Sequence, residues 1–217
     1  MQDTTTVPPL SDRSGVTDAV RAQLLATEHW SLLATRSATW NEMFSRAGMY
    51  LTVLSAATVA LALVAQATEF GDDFRLFALL VLPVVLLLGL GTQIRLVDAQ
   101  GEDLWLVLGM NRLRRAYLEL APELAPYFIT AHHDDLAGAF RTYGPDIRVS
   151  AGRILATSPT LVGIINGVVT GVFAALVSDA LGGGGGTAVA LGVTAGIAYV
   201  AALATVPLRR LAYFDRE

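Results

Sequence analysis

The sequence contains no cysteine and no lysine, and each absence excludes whole classes of chemistry. Without cysteine there are no disulfides, no thiolate nucleophile and no cysteine-ligated zinc or iron–sulfur cluster. Without lysine there is neither a Schiff-base amine nor the lysine of a phosphate-binding P-loop. The G-x-S-x-G and G-x-G-x-x-G motifs are missing too, and no pair of carboxylates lies within an apolar stretch. We therefore expect a protein that is not an enzyme and that carries no cofactor.

Charged residues are scarce as well, since they make up 16% of the 217 residues while hydrophobic residues make up 53%. This composition is too apolar for a soluble domain and is typical of an integral membrane protein. Crossing a hydrocarbon core of about 30 Å takes about 20 apolar residues in a helix. Four stretches qualify, at 47–68, 74–94, 159–181 and 187–208. The sequence therefore predicts an all-α protein with four transmembrane helices.

The connections between these spans predict two transmembrane hairpins, because the linkers at 69–73 and 182–186 are only long enough for turns. All arginines except Arg75, which lies near a hairpin tip, fall on one side of the predicted membrane. Arginines that flank spans stay in the cytoplasm. We therefore expect both termini and the middle segment to be cytoplasmic and the protein to lie in a bacterial inner membrane. The first 14 residues lack the apolar core of a cleavable signal peptide.

This pattern divides the chain into four regions. They are a disordered tail at 1–14, the first hairpin with two cytoplasmic helical legs at 15–121, a cytoplasmic connector at 122–158, and the second hairpin with a short tail at 159–217. Pro122 is expected to end the second leg. In the connector we expect a short helix at about 133–142, capped by Thr130 or Asp134 and ended by Gly144, and then amphipathic turns at 146–156. Ser158 followed by Pro159 is typical of an N-cap and the first helical residue.

The two legs carry apolar patterns that predict helix packing. The first leg has a broken apolar stripe with arginine and glutamate on its other side, formed by Val16, Val20, Leu24, Trp30, Leu33, Trp40, Met43 and Phe44. The second leg has a seam spaced by four and three residues, formed by Leu106, Met110, Leu113, Tyr117 and Leu120. Such spacing is typical of a helix packed on another helix. The default is packing between the legs of one chain, with pairing between neighbouring chains or adsorption to anionic lipid as alternatives.

Small residues recur every four positions in the spans. The third span has a double G-x-x-x-G at Gly163, Gly167 and Gly171, and the fourth repeats small residues at Ala188, Gly192 and Gly196. A weaker stripe in the first span comprises Gly48, Thr52, Ala56 and Ala60. Small residues on one face let helix backbones approach closely in lipid. We expect these helix-packing faces either to contact each other within the second hairpin or to contact another protomer.

A few polar or helix-bending residues interrupt the apolar stretches. Asn166 lies within the third span, off the glycine face, and a buried amide in lipid must find a hydrogen-bond partner. We expect it to join helices, with a polar path as the alternative. Pro83 is expected to kink the second span. No ionisable group lies deep in a span, which disfavours ion-coupled transport. A channel stays possible, because Thr52, Ser55 and Thr58 would supply hydroxyls if several chains enclosed a pore.

One group of adjacent residues has the types that bind metals, namely His132, His133, Asp134 and Asp135. Adjacent residues on a helix diverge by about 100°, whereas paired ligands are better placed four residues apart. Aspartates in the first turn of a helix are also favoured by the helix dipole without any ligand. The start of a helix is therefore the preferred interpretation, and a divalent metal site is the alternative.

Two segments, WNEMFSRAGMYLTVLSAATVALALVAQ at 40–66 and LGMNRLRRAYLELAPEL at 108–124, carry a family resemblance. Through them the chain resembles, over most of its length, a group of small integral membrane proteins of high-GC bacteria. That group has no assigned activity, so the resemblance implies only a four-span membrane protein. The layout of the first half is also similar to SLATT-type two-span domains, which are thought to act as membrane effectors or pores in bacterial conflict systems. The second hairpin departs from that layout.

Together these features predict a non-enzymatic membrane protein that acts through helix association, as a scaffold or by binding a partner. An oligomeric ion channel or pore-forming effector is the alternative. The expected partners are the lipid bilayer and either a second copy of the chain or another membrane protein, and we expect no nucleic-acid partner.

Overall fold

In the computed structural model, residues 16–144 and 157–214 are described, with side chains in the last helix as far as Leu203. These residues form helices and no strand, in the order α1 (Asp18–Thr68), α2 (Asp72–Leu120), a 3₁₀ helix (Pro122–Tyr127), α3 (Leu136–Tyr143), α4 (Ser158–Ala180) and α5 (Gly185–Phe214). The all-α prediction is confirmed for this part of the chain. The expected tail at 1–14 and the expected turns at 146–156 lie outside the described residues.

Four helices, α1, α2, α4 and α5, are long and apolar enough to cross a membrane, as predicted. Two of them are much longer than a bilayer requires. The 51 residues of α1 rise about 77 Å at 1.5 Å per residue, against a hydrocarbon core of about 30 Å. The predicted spans at 47–68 and 74–94 occupy only one part of each long helix. Both α1 and α2 therefore have an apolar part and a polar part in one uninterrupted helix, and α2 continues through Pro83.

The chain divides into two compact units, and α1 and α2 run through both. The first unit comprises the described residues up to Asn41 and from Ala99 to Gly144, so it contains the polar parts of α1 and α2 together with α3. The second comprises Glu42–Asp98 and the described residues from Thr157 onward, so it contains the apolar parts of α1 and α2 together with α4 and α5. We call them the polar unit and the apolar unit.

The core of the polar unit joins three helices. Val107 and Met110 of α2 and Ala139 of α3 are buried, and Leu32 of α1 packs against them. In the seam predicted on α2, Leu106 and Met110 are buried, while Leu113, Tyr117 and Leu120 are half-buried. The prediction omitted three buried positions that follow one another at every fourth residue, namely Asp103, Val107 and Asn111.

The apolar stripe predicted on the first leg does not pack within this chain, which leaves pairing between chains or adsorption to lipid as the alternatives for it. Apart from Met43, its members are exposed, and Leu24 and Trp30 have 64% and 71% of their surface accessible. The inward face of α1 in the polar unit instead includes His29 and Arg36, which contact α2 through a stacked ring and an ion pair. Because these polar side chains have specific partners on α2, counting apolar residues did not identify the side of α1 that contacts α2.

The short helix α3 begins later than predicted. Its first residue is Leu136 and its N-cap is Asp135, rather than Thr130 or Asp134. The Asp135 carboxylate accepts a hydrogen bond of 2.6 Å from the backbone N–H of Gly138. Capping of this kind satisfies a backbone donor that has no partner within the helix. Because α3 begins at Leu136, both aspartates of the predicted metal group precede the helix rather than lie in its first turn.

The other helix ends lie close to the predicted positions. The second leg ends at Leu120, before Pro122, and Gly144 follows the last residue of α3. The N-cap of α4 is Thr157, one residue before the predicted Ser158. Pro122 and Gly144 thus lie just after the last residues of α2 and α3, where a helix can accommodate proline or glycine.

A sharp turn joins α1 to α2, as the short linker predicted. Glu69 and Phe70 both adopt left-handed backbone conformations, with φ angles of 48° and 60°. Such conformations are unfavourable for residues with a Cβ atom. The turn after α4 uses Gly182 at a φ of 87°, where glycine carries no such cost.

Candidate functional site

Four polar side chains, one from each long apolar helix, form a connected hydrogen-bond network in the apolar unit. Asn166 of α4 is 1% exposed, and its Oδ1 accepts a bond of 2.6 Å from the Tyr50 hydroxyl of α1. Its Nδ2 donates a bond of 3.1 Å to Oε1 of Gln93 on α2. The Tyr199 hydroxyl of α5 donates a bond of 2.6 Å to the same oxygen of Gln93. The network therefore joins α1, α2, α4 and α5.

Glycines provide the space for this network. A Cβ atom at Gly89 of α2 would collide with the amide oxygen of Asn166 and would lie 2.8 Å from the Tyr50 ring. A Cβ atom at Gly163 of α4 would lie 2.8 Å from Nε2 of Gln93. Gly163, which the sequence assigned to a helix-packing face, thus also makes room for the Gln93 amide.

The chemistry of these four groups suits structural cohesion. The network contains two amides and two phenols, with no carboxylate or imidazole that could act as a general base in it. Within lipid, hydrogen bonds between helices hold a bundle together because hydrophobic burial offers little driving force there. The contacts of Asn166 match the expectation that it joins helices.

The glycines of α4 and the small residues of α5 lie against each other. A Cβ atom at Gly171 would lie 2.8 Å from the carbonyl oxygen of Gly192, and one at Gly196 would lie 2.9 Å from that of Gly167. Ala188 is buried. The two backbones therefore approach closely along the faces described in the sequence analysis. The stripe of the first span is placed differently, since a Cβ atom at Gly48 would meet nothing within 4 Å.

Ion pairs lie at the two ends of the apolar helices. Arg75, at the start of α2, pairs with Asp72 at 2.8 Å and with Asp179 near the end of α4 at 2.7 Å. Near the other end, Glu42 of α1 accepts hydrogen bonds from Arg95 of α2 and from Arg46. The hydrogen bonds from Arg95 and Arg46 lower the pKa of Glu42 to about 2. These pairs connect helices where the apolar segments meet polar surroundings.

In the polar unit, Asp103 is the centre of a second buried cluster. Its side chain accepts hydrogen bonds from Nε of Arg36 at 2.6 Å, from Nε1 of Trp40 at 2.9 Å and from the Tyr143 hydroxyl at 2.7 Å. Burial alone would raise the pKa of Asp103, but the hydrogen bonds from Arg36, Tyr143 and Trp40 and the charge of Arg36 hold it below its ordinary value. The carboxylate therefore joins α1, α2 and α3 in its ionised form.

Asn111 forms another buried junction in the polar unit. Its Nδ2 donates a bond of 2.9 Å to the carbonyl oxygen of His133, and its Oδ1 accepts bonds from Arg114 at 2.7 Å and from Thr142 at 2.9 Å. This amide fastens the segment before α3, and α3 itself, to α2.

The residues of the predicted metal group make contacts other than metal ligation. Asp134 pairs with Arg112 at 3.0 Å and with Arg115 at 2.7 Å, and Asp135 caps α3. Although burial raises the pKa of Asp134, the bond from Arg112 and the charge of Arg115 keep it below its ordinary value. The rings of His132 and His133 lie 4.3 Å apart between centroids. Within 16–144 and 157–214, no cluster of three or more metal-ligating side chains is found.

The remaining histidine, His29, contacts the predicted seam. Its ring stacks on that of Tyr117 at 6.1 Å between centroids. Partial burial, together with the positive charge of Arg114, lowers the pKa of His29. This favours a neutral imidazole at pH 7.

Sequence reasoning identified Asn166 but missed its partners. Gln93 and Tyr199 are also polar side chains in apolar stretches, so the argument that singled out Asn166 applies to them equally. Asp103 and Asn111 offered only one signal, which is that they fall on the same helical face as Leu106 and Met110.

Comparisons with known proteins give no family to which the chain can be assigned. No family model, no curated protein and no solved structure matches it.

Proposed function

We propose that the chain is a non-enzymatic integral membrane protein of a bacterial inner membrane. In this proposal the apolar parts of α1 and α2 form one transmembrane hairpin, α4 and α5 form the other, and both termini are cytoplasmic. The four apolar helices support membrane insertion, and the one-sided distribution of arginine supports the orientation. The resemblance to small membrane proteins of high-GC bacteria agrees with this placement.

We further propose that the protein acts by association with a second copy of itself through the polar part of α1. The observation that carries this proposal is an exposed row on α1, which we call the tryptophan row, formed by Trp30, Leu33, Ser37 and Trp40. Trp30 is 71% exposed and Leu33 is 40% exposed. The row is spaced by three, four and three residues, which is the spacing of a coiled-coil seam. Exposed apolar surface of this kind is favourable to bury.

Confinement to a membrane favours a second copy as the occupant of the tryptophan row. Two copies inserted in the same bilayer share one orientation and one depth. The same residues can then face each other across a twofold axis, as isologous dimers require. Although Nε1 of Trp40 donates to Asp103 and Arg36 and His29 contact α2, the other members of the row are exposed for such a pairing.

The absence of native cysteine allows a direct test, because a single introduced cysteine reports only on its own position. Ser37→Cys places a thiol in the tryptophan row. Thr35→Cys is the matched control, since it is also exposed but lies about 200° round the helix. Under mild oxidation in native membranes we expect a disulfide-linked dimer from Ser37→Cys and none from Thr35→Cys. Equal cross-linking of both variants, or of neither, would contradict the proposal.

A channel is the second candidate, and one observation favours it. Thr52, Ser55 and Thr58 lie exposed on the apolar part of α1, each donating a bond to the carbonyl four residues earlier. Copies that met through this part of α1 would place hydroxyl oxygens along a shared path. Conductance in a planar bilayer that changes with Ser55→Val would favour the channel, whereas silent bilayers would favour the association proposal.

A further inference from the structure

A cavity of about 280 Å³ lies between α2 and α5 within the apolar unit. Its apolar walls include Leu90 and Ile94 of α2 and Leu203 of α5, while Gln93 and Tyr199 supply its polar lining. Asp98 also lines it, five residues beyond Gln93 on α2. The cavity is therefore apolar along one stretch and polar along the next, which is typical of a site for an amphipathic ligand.

The Gln93 amide presents an unused donor to this cavity. Its oxygen already accepts two bonds, from Asn166 and from Tyr199, which fills its acceptor capacity. Its Nε2 donates no hydrogen bond to any residue in the described part of the chain, although Gln93 is only 4% exposed. Since no fully buried side-chain nitrogen or oxygen among the described residues lacks a partner, Nε2 is not sealed off. Gln93 lines the cavity, so we infer that a ligand reaches Nε2 from there.

A donor without an acceptor is unfavourable in such apolar surroundings. No described residue supplies an acceptor for it, which points to the surrounding bilayer as the source. Gln93 is the last residue but one of the predicted span 74–94, so it lies at the border between the hydrocarbon core and the headgroup region. The acceptors at this depth are the acyl-ester carbonyls of phospholipids, and the chains attached to them run toward the bilayer centre, along the Leu90 side of the cavity.

We propose that this cavity binds one diacyl phospholipid, with an ester carbonyl accepting a hydrogen bond from Nε2 of Gln93. Asp98 lies farther along α2, on the headgroup side of Gln93. The proposal rests on the proposed membrane insertion and is independent of association through the tryptophan row. Membrane fractionation tests insertion separately. A chain that is found in the membrane but binds no lipid would contradict lipid binding alone.

Native mass spectrometry of the full chain in mild detergent tests the ligand chemistry. The protein is offered diester phosphatidylethanolamine, its diether analogue, diester phosphatidylglycerol and a free fatty acid. We expect one bound diester phospholipid, with either headgroup. The diether, which lacks the carbonyl, should bind about tenfold more weakly, as the loss of one hydrogen bond implies. Equal binding of diester and diether, or a preference for the fatty acid, would overturn the assignment.

Two matched substitutions test the place of binding. Ala202→Phe fills the cavity and does not alter the hydrogen-bonding side chains of the network. Ala201→Phe adds the same group at an exposed neighbour that does not line the cavity. We expect Ala202→Phe to lose the retained lipid and Ala201→Phe to keep it, with similar melting temperatures. Lipid retention by both variants would overturn the proposal, and if Ala202→Phe does not fold, the diester and diether comparison on the unaltered chain decides.

Discussion

Asn166 lies in an apolar helix, where a polar atom without a partner costs more than the same atom at a water-exposed surface. Its amide oxygen and nitrogen bond to different helices, Tyr50 on α1 and Gln93 on α2. Removing the amide therefore breaks two contacts between helices and leaves the Tyr50 hydroxyl without its acceptor, while Gln93 keeps its bond from Tyr199.

Asn166→Leu is expected to lower the free energy of unfolding by about 1–2 kcal/mol. Leucine fills a similar volume but makes neither bond. Thr170→Val is the control, because Thr170 donates only to the backbone oxygen of Asn166 within the same helix. Melting in detergent should show a clear loss for Asn166→Leu and little change for Thr170→Val. Equal melting temperatures would mean that the network does not hold the helices together.

Asp103 links the stability of the polar unit to pH. Its pKa in the folded protein lies below the ordinary value, because hydrogen bonds from Arg36 and Tyr143 outweigh its burial. A carboxylate whose pKa is lowered by folding contributes stability above its unfolded pKa of about 3.9. That contribution is lost as the pH falls through the lower folded value.

Asp103→Asn should therefore be less stable than the unaltered chain at pH 7, and the difference should shrink below about pH 4. Circular-dichroism melting between pH 7 and pH 3 measures this gap. Asp18→Asn, at an exposed carboxylate, is expected to leave the pH profile unchanged. A gap for Asp103→Asn that stays constant across this range would show that the Asp103 carboxylate is not held ionised by Arg36.

At the scale of elements, the contact between α4 and α5 depends on the absence of side chains. Alanine is intrinsically better than glycine in a helix by about 1 kcal/mol. At Gly171 this gain is opposed by a backbone carbonyl, that of Gly192, which would lie 2.8 Å from the new Cβ atom. A backbone atom cannot move aside as the end of a flexible side chain can.

Gly171→Ala and Gly48→Ala are thus expected to have opposite effects. Gly171→Ala should lower the melting temperature, because α4 and α5 must separate. Gly48→Ala meets nothing within 4 Å and should leave the melting temperature unchanged or raise it. If both substitutions stabilise the protein, α4 and α5 do not approach each other closely at Gly171.

The elements themselves could largely be predicted from the sequence. Long apolar stretches and proline or glycine at helix ends are local signals, so the four apolar helices and the end of α2 before Pro122 follow from them. The inward face of α1 could not be predicted, because His29 and Arg36 are half-buried against partners on α2. Asn166 was recognisable in the same local way, but Tyr50 and Gln93 lie 116 and 73 residues away in sequence. Such pairings depend on how each helix is rotated about its axis.

At the scale of the whole molecule, the proposed topology makes a definite prediction. A reporter that is active only in the cytoplasm should be active when fused after Glu217 and inactive when inserted after Gly184, in the short turn between α4 and α5. The reverse reporter should give the opposite result. If the same reporter is active at both positions, α4 and α5 do not form a transmembrane hairpin.

The oligomeric state of the full chain in lipid nanodiscs is the most direct test of association through α1. We expect two or more copies per particle by mass measurement. Trp30→Ser, in the tryptophan row, should shift the population toward one copy, whereas Trp105→Ser should not, although Trp105 on α2 is equally exposed at 71%. A strictly monomeric chain in lipid, or equal effects of the two tryptophan substitutions, would contradict the proposal that this protein acts by pairing through α1.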